Sequence, residues 1–453
     1  MSSRSGEASG AGASNGRHAA LDRRRLFFVA NLSIFMIGLG FAIRASIAAD
    51  IQTELFNAID LARSGTMIGE VLGATFIGFA LTLLFGSALV DYLGMKRMLL
   101  FAALGFISGS VIVLAASLMP VSEATYWWIY GGFLLTGLGW GAVEAGSNPL
   151  VTALYPEEKT HRLNILHAWW PAGIVAGGLL GLALGGLEVA WQWNLLILAA
   201  PALLLAALAA PAAFPVTERV ATGVSHGEMF REVLRSPSCF IWFGCMMLTA
   251  TTELAPGQWV NVALSNMVGM PGILVLVYVS ALMFVMRHFA GRIVEHIAPV
   301  GLLWLSSLIA AAGLYLLSVA ESPVTVFAAA TVWGVGVCYM YPTMVASASD
   351  RYPRGGAFVM GLMGFAAGLA NNTFLPIMGR IFDEARIAAA GSADQLAELS
   401  AAELASITRL ASIESFQAVA VIPLALLPIF GLIWWNDRRV RRGARQQQEN
   451  RGF

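Results

Sequence analysis

The sequence is poor in charge, because Asp, Glu, Lys and Arg make up only 12% of its 453 residues. A water-soluble protein of this size needs a charged surface that such a composition does not supply. The formal net charge is zero, so nothing points to nucleic acid as a partner. Since 58% of the residues are hydrophobic and the mean hydropathy is +0.72, the composition indicates a protein integral to the lipid bilayer.

Signatures of other chemistry are also missing. The three cysteines, Cys239, Cys245 and Cys338, lie in apolar runs without the spacing of metal ligands, so we expect packed or lipid-facing thiols and no metal site. Neither GKS nor GKT occurs, so a phosphate-binding loop and an ATP-driven activity are unsupported. We therefore expect no cofactor.

The sequence does contain about twelve apolar runs, each long enough to cross a bilayer. They lie near residues 26–49, 64–90, 98–119, 126–153, 163–187, 192–214, 238–264, 271–290, 300–319, 324–347, 357–381 and 416–435. A polar interval divides them into two sets of six. The predicted fold is therefore all-α and integral to the membrane, with about twelve transmembrane helices in two pseudo-symmetric six-helix bundles.

The predicted organisation has five parts: a disordered N-terminus (1–25), a first bundle (26–215), a linker with a short surface helix (216–237), a second bundle (238–436) and a basic tail (437–453). Ser225 is expected to cap the linker helix, with Met229, Val233 and Leu234 on one face. Basic residues precede the first run and follow the last, whereas the opposite loops are mostly acidic, which predicts that both termini are cytoplasmic. We expect a monomer in a bacterial-type inner membrane.

An internal repeat relates the two halves. The fourth helix carries GLG at 137–139 and ends in YP at 155–156, and the tenth carries GVG at 334–336 and ends in YP at 352–353. The first glycine precedes the proline by 19 residues in both helices. Two similar halves predict a transporter in which the halves rock about a central site.

At this point the sequence resembles the major facilitator superfamily. The segment GSALVDYLGMKRM (86–98) is similar to that family's loop between helices 2 and 3, with Ser87 where the family usually has glycine. Within the superfamily, three stretches resemble the fucose permease-like sugar:proton symporters: GAVEAGSNPLVTALYPEE (141–158), TTELAPGQWVNVAL (251–264) and YPT (341–343). This resemblance implies alternating access to a site between the halves.

The resemblance also implies a set of gating residues. SALVDYLG at the exit of helix 2 aligns with GRIVEHIA at the exit of helix 8, which pairs Asp91 with Glu295. The residues expected to gate the cytoplasmic side are Asp91, Gly94, Lys96 and Arg97 in the first half and Gly291, Arg292 and Glu295 in the second. A plain solvated turn is the alternative.

One position departs from those symporters, which carry an aspartate in helix 1. The corresponding stretch here is GFAIRASIAAD, with the basic Arg44. Counting about 1.5 Å of rise per residue places Arg44 and Glu70 of helix 2 at a shared depth in the outer half. We hypothesise an Arg44–Glu70 pair at the outward mouth of the cavity, with a static bridge as the alternative.

Two acids lie inside apolar helices, where a charge costs at least roughly 2.5–3.5 kcal/mol. Glu144 in helix 4 is predicted to bind substrate or to carry a coupling proton, and a structural pairing is the alternative. Glu253 in helix 7 is predicted to bridge Arg287 in helix 8. That bridge is either permanent or broken when Glu253 is protonated or substrate arrives.

Further substrate contacts are expected from aromatic and amide side chains. Trp259 is a candidate for stacking on a sugar ring, and Asn148, Asn371 and Asn372 for bonding hydroxyls, with Tyr341 of the YPT motif beside them. Trp169 and Trp170 are candidates of the same kind or anchors at the membrane interface. Asparagines that join helices to each other are the ordinary alternative.

The sequence therefore predicts a secondary active transporter that moves a small polar solute, foremost a sugar, by proton symport. The alternative is a facilitator or exporter of another small organic solute, such as a sugar acid or a drug-like compound, and Arg44 would suit an anion. A membrane enzyme is disfavoured because the long outer segment 383–414 is Ala-rich and carries no catalytic cluster. A transporter-like receptor would bind its ligand without flux.

Overall fold

The computed structural model describes residues 21–217, 220, 225–288, 297–352 and 355–449, and every regular element in these ranges is a helix. We number the membrane helices in chain order. The first half comprises α1 (Arg23–Asp50), α2 (Ser64–Leu93), α3 (Met95–Ser117), α4 (Glu123–Leu154), α5 (Lys159–Gly186) and α6 (Ala199–Ala209). The second half comprises α7 (Pro237–Val268), α8 (Ile273–His288), α9 (Pro299–Ser318), α10 (Pro323–Val337 and Met340–Arg351), α11 (Gly356–Ala390) and α12 (Ile422–Glu449).

Shorter helical pieces connect these elements. They are the π-helical Ile51–Phe56, Asn57–Asp60, the 3-10 turns Pro156–Glu158 and Trp191–Leu198, and the helices His226–Arg235, Ala393–Glu398 and Ala401–Ala420. We call the side on which α1 begins the termini side and the opposite one the distal side. Since consecutive spans alternate in direction, α2 begins on the distal side and α11 ends there.

The predicted number of membrane helices is confirmed. Among the described residues, ten helical stretches are long and apolar enough to cross a membrane. α8 adds a shorter apolar helix, and α4 adds a 32-residue helix rich in glycine and aromatic residues. The result is about twelve spans in two six-helix bundles.

Helix ends differ from the prediction at both termini. α1 already begins at Arg23, because the side chain of Asp22 accepts a hydrogen bond from the Arg25 amide at 3.0 Å and caps the helix. At the other end, α12 continues to Glu449 through most of the predicted tail. The predicted disordered residues 1–20 lie outside the described part of the chain.

The outer segment 383–414 is largely helical and is not a separate loop. α11 continues through its first residues to Ala390, and the helix Ala401–Ala420 leads into α12 across Val421. The predicted spans for helices 11 and 12 were therefore too short. The apolar window of helix 11 ended before the last turns of α11 on the distal side, and that of helix 12 ended before its basic end on the termini side.

The linker helix His226–Arg235 begins as predicted, with the Ser225 side chain accepting a bond from the amide of Glu228. Met229 and Val233 are buried, as residues four apart on one helix face should be. Leu234 is 70% exposed, so its predicted place on that face is wrong. The next residue along a helix is rotated by about 100°.

The repeat between α4 and α10 is visible in the backbone. Each helix begins with a Ser-x-x-Thr capping box, at Ser122 and at Ser322. Each ends at a tyrosine with nearly the same dihedral angles, φ −132° and ψ 64° at Tyr155 and φ −128° and ψ 63° at Tyr352. The halves differ in that α4 is continuous, whereas α10 is interrupted between Val337 and Met340.

Glycines allow the equivalent helices to approach each other closely. A Cβ atom at Gly137 would lie 2.1 Å from the Thr75 carbonyl oxygen of α2, and one at Gly139 would lie 2.9 Å from a carbonyl of α3. The matching Gly334 and Gly336 face α8 and α9 in the same way. The glycines of the repeat thus fix the distance of α4 and α10 from their neighbours.

Gly137→Ala should destabilise the protein, because the added methyl group must push α4 away from α2. Overpacking of this kind costs about 1–3 kcal/mol. Gly131→Ala in the same helix is the matched control, since no atom lies within 4 Å of its added Cβ. Thermal unfolding of the purified variants in detergent measures the difference, and equal midpoints for the two variants would contradict the packing role.

Candidate functional site

Glu144 belongs to a polar group between α4 and α5. The Asn148 amide, one helical turn away, donates to Glu144 Oε2 at 2.9 Å, and Asn148 Oδ1 lies 3.1 Å from His167 Nε2 of α5. All three side chains are partly exposed in an otherwise apolar bundle. Since the Asn148 carbonyl accepts, His167 donates from Nε2 in this arrangement.

The predicted Glu253–Arg287 ion pair is present between α7 and α8. Arg287 Nη2 lies 3.2 Å from Glu253 Oε1, and Arg287 Nε donates to the Cys338 carbonyl at 3.0 Å. That carbonyl lies in the interruption of α10, where a regular helical hydrogen bond does not occupy it. The interruption thus gives Arg287 a second acceptor and ties α8 to α10.

Tyr341 of α10 lies beside Glu253 and within electrostatic range of Glu144. Glu144 and Glu253 both act electrostatically on its hydroxyl, and the Glu253 carboxylate lies against its backbone. In the repeat, Tyr341 and Glu144 are equivalent, since each precedes the tyrosine that ends its helix by 11 residues. We call the resulting group the central cluster; it consists of Glu144, Asn148, His167, Glu253, Arg287 and Tyr341.

An aromatic layer that sequence reasoning missed adjoins the central cluster. The Trp140 ring, one turn before Glu144 on α4, lies 4.7 Å from Phe79, 5.4 Å from Phe76 and 6.3 Å from Phe41, measured between ring centroids. Phe41 in turn meets Trp170 of α5 at 5.5 Å. The sequence contains one indication of this layer, because Trp140 lies four residues before Glu144, an acid inside a membrane helix.

Arg44 lies against this layer and does not pair with Glu70. Its guanidinium carbon is 5.6 Å from the Trp140 ring centroid, and its Nε and Nη2 have no hydrogen-bond partner among the described residues. Glu70 instead accepts a bond from Tyr126 at 2.6 Å and lines a separate distal cavity of about 610 Å³. The predicted pair was wrong because shared depth does not fix the direction in which each side chain points.

Three other predicted contacts lie outside the central cluster. Trp259 is fully buried and donates to Ser415 at 3.2 Å, so it belongs to the core of the second half and does not line a cavity. Asn371 is also fully buried, and its amide donates to the carbonyl of Ala367. Asn372 lines the distal cavity beside Glu70.

The sequence profile of the Major Facilitator Superfamily matches residues 21–375. The chain belongs to this superfamily. It is therefore a multi-pass membrane transporter and not an enzyme. A comparison with curated protein sequences gave no match.

Solved transporter structures have the same fold. A D-xylose–proton symporter is 14% identical with a TM-score of 0.69, over 86% of this chain and 97% of that one. A bacterial homologue of the human lysosomal transporter Spinster, inward-facing and unoccupied, is 16% identical with a TM-score of 0.69, over 90% and 96%. The fucose:proton symporter of E. coli is 16% identical with a TM-score of 0.55, over 88% and 97%. At these identities the likeness shows the fold alone.

Of the gating residues that the resemblance predicted, only those of the first half lie in the described part of the chain. Asp91 accepts a bond from the hydroxyl of Thr217, and Lys96 Nζ donates to the Ala212 carbonyl at 3.1 Å, so both hold the turn after α2 to the segment after α6. Gly94 forms that turn with φ +81°, a conformation that favours glycine. Arg97 is exposed. The predicted partners Gly291, Arg292 and Glu295 lie outside the described residues.

On the distal side, α11 of the second half holds the start of α2. Asp383 accepts bonds from the Gly65 amide at 3.0 Å, the Thr66 amide at 2.6 Å and the Thr66 hydroxyl at 2.8 Å. Arg386 bonds to Asp383 at 2.6 Å and donates to the Leu61 carbonyl at 2.8 Å. We call this group the distal latch. The sequence had assigned Asp383 to an acidic loop, but it is buried.

The same side is closed by contacts between α1 and α7. The Gln258 amide donates to the Phe41 carbonyl at 2.9 Å, and the Asn261 amide donates to the Ser46 carbonyl at 2.6 Å. Together with the distal latch, these bonds join the two halves on the distal side. The central cluster nevertheless keeps partly exposed members such as Glu144 and Tyr341.

Asp383→Asn should weaken the distal closure, because an amide offers one acceptor atom where the carboxylate offers two. Losing hydrogen bonds to a charged group costs about 1.5–3 kcal/mol, so we expect at least about a tenfold increase in opening. The measurement is the rate of maleimide labelling of Leu375→Cys, a buried residue of α11 that faces α2, after replacement of the native cysteines.

Glu384→Gln is the control for this experiment, since Glu384 is exposed and next in sequence to Asp383. It should leave the labelling rate unchanged. An unchanged rate in Asp383→Asn as well would show that the distal latch does not hold the halves together.

Proposed function

We propose that this chain is a secondary active transporter that moves a sugar by proton symport. The observation that carries the proposal is that each half places a carboxylate inside the apolar bundle, Glu144 bonded to Asn148 in the first half and Glu253 paired with Arg287 in the second. Relative movement of the halves changes the surroundings of these carboxylates, which is what alternating access requires of a coupling site. An ionisable group at this depth is a functional-site candidate by default.

Glu144 is the proposed proton carrier. Its described hydrogen-bond partner is the neutral amide of Asn148, whereas Glu253 is paired with Arg287. Protonation of Glu144 therefore breaks no ion pair among the described residues, whereas protonation of Glu253 would break its pair with Arg287. Glu144 is also partly exposed, so a proton can reach it.

A sugar suits the chemistry that surrounds these acids. Amide, imidazole and phenol groups are provided by Asn148, His167 and Tyr341, and such groups bind hydroxyls. Trp140 and Trp170 supply aromatic surface next to them, and an apolar wall with few polar groups is typical of small-molecule sites. The similar folds include a D-xylose–proton symporter and a fucose:proton symporter, which supports the proposal at the level of fold.

The remaining expectations are part of the same proposal. Basic residues at both ends of the chain favour cytoplasmic termini, so the distal side would face outward in a bacterial-type inner membrane. We propose residues 26–215 and 238–436 as the two moving units and the linker 216–237 as their cytoplasmic connection. The transporter would act as a monomer, since each chain contains both halves.

The test is proton movement into proteoliposomes without any other energy source. Neutral sugars, amino sugars and sugar acids are added in turn while a dye reports the external pH. We expect external alkalinisation with one of them, because an inward solute gradient would draw protons with it. Glu144→Gln should abolish the pH change, since an amide carries no proton.

Glu398→Gln is the control, because Glu398 is an exposed acid far along the chain from α4. Uptake of a labelled sugar without a pH change in the unmodified protein would favour a facilitator over a symporter. Proton movement that persists in Glu144→Gln would assign the coupling to another residue. If no sugar produces a pH change or uptake, the result would contradict the proposal that the solute is a sugar.

A further inference from the structure

Arg44 is a buried cation that has no anionic partner in the described part of the chain. It is 2% exposed, two of its nitrogens lack a hydrogen-bond partner among the described residues, and no acid in that part of the chain acts on its charge. Its described contact is the face of Trp140. An uncompensated guanidinium in an apolar bundle is costly, which points to an anion that joins it during the transport cycle.

Trp140, the aromatic contact of Arg44, adds a hydrogen-bond donor. Trp140 Nε1 is buried and unpartnered, and indole, like guanidinium, has donors only. The buried hydroxyl of Thr75 is also unpartnered, and its residue packs against Gly137, three residues before Trp140. A ligand at this place must supply acceptor atoms, and the charge of Arg44 selects a negative one.

The second half contains two buried acceptor atoms without a hydrogen-bond partner among the described residues, and one of them adjoins the aromatic layer. The amide nitrogen of Gln258 is held by the Phe41 carbonyl, which leaves Gln258 Oε1 buried without a partner. The amide nitrogen of Asn371 is held by Ala367, which leaves Asn371 Oδ1 in the same condition. With their nitrogens engaged, both side chains can only accept, and hydroxyl groups are the neutral donors that match them.

Arg44 and the Gln258 acceptor lie at one level of the bundle. Arg44 and Gln258 each lie 21 residues after the first residue of their helix, in α1 and α7, which both begin on the termini side. Phe41 connects them, because its ring contacts Trp140 and its carbonyl holds Gln258. Both halves thus contribute residues at this depth, as a transport site between the halves requires.

We propose that the transported solute is a sugar acid whose carboxylate binds Arg44 and Trp140 and whose hydroxyls bind Gln258. This inference rests on the proposed function and narrows its substrate from a sugar to a carboxylated sugar. The carboxylate reaches Arg44 only when the distal contacts between the halves open, because Arg44 is buried in the closed arrangement.

The experiment compares acids with neutral partners of similar shape. D-glucuronate is paired with D-glucose, and nicotinate with nicotinamide as a pair without a sugar. Binding is measured as thermal stabilisation of the purified full-length protein in detergent, and transport as uptake into proteoliposomes. The variants are Arg44→Gln and Arg44→Lys, with Arg24→Gln as an exposed control on the same helix.

We expect D-glucuronate to bind at least tenfold more tightly than D-glucose. Arg44→Gln should remove that preference and leave the weak binding of D-glucose unchanged. Arg44→Lys should keep part of the preference for D-glucuronate, and Arg24→Gln should keep all of it. Equal binding of both sugars, with equal losses for both in Arg44→Gln, would assign Arg44 a structural role and overturn the inference.

The other outcomes separate this inference from the proposed function. If nicotinate binds but nicotinamide and both sugars do not, the result would support a carboxylate site at Arg44 and would contradict the proposal that the solute is a sugar. Binding of D-glucose alone would support the proposed function and overturn the inference. Binding of none of the four compounds would count against both. If Arg44→Gln fails to fold, Arg44→Lys still tests the inference: it should prefer D-glucuronate less strongly than the unmodified protein does, and an undiminished preference would overturn the inference.

Discussion

An ionised side chain inside a bilayer is stable only beside a group that compensates its charge, and the polar residues of this chain are arranged by that constraint. Glu253 is compensated by Arg287, and Asp383 by Arg386 together with amides at the start of α2. Both pairs join helices, α7 to α8 in the first case and α11 to α2 in the second. The compensated charges therefore hold the bundle together. The two charges for which we propose a role in transport, Glu144 and Arg44, have no ionic partner among the described residues.

The contact between α2 and α11 shows how backbone geometry and charge depend on each other. α2 has no side-chain cap of its own at Arg63, and the first amides of a helix otherwise lack partners. Asp383 supplies the missing acceptor from the other half, at the end of the helix dipole that favours an anion. It can do so because Gly65 lets α11 approach, since a Cβ there would lie 2.7 Å from the Asp383 carboxylate. The closed arrangement thus completes α2, and opening leaves its amides to water.

The sequence predicted the number of helices, the repeat and the Glu253–Arg287 pair, because hydropathy, spacing and the cost of membrane charges act locally. It did not predict which way a side chain points around its helix. For this reason it missed that Glu70 faces Tyr126 and that Trp259 lies in the core. The distal latch was missed for a related reason. Asp383 follows the apolar window of α11, and only the packing of the two halves shows that the helix continues and buries it.

Charge balance connects Glu144 and Arg44, neither of which has an ionic partner among the described residues. Glu144 is negative when deprotonated and Arg44 is positive, so the formal charges of the two residues sum to zero although no ion pair joins them. A proton on Glu144 removes the negative charge, and a carboxylated solute on Arg44 restores it. A neutral sugar bound with a proton would instead leave one positive charge in a region of low dielectric, which is costly. The base in helix 1, where sugar symporters resembling this chain carry an acid, is therefore consistent with a proton-coupled acid as the solute.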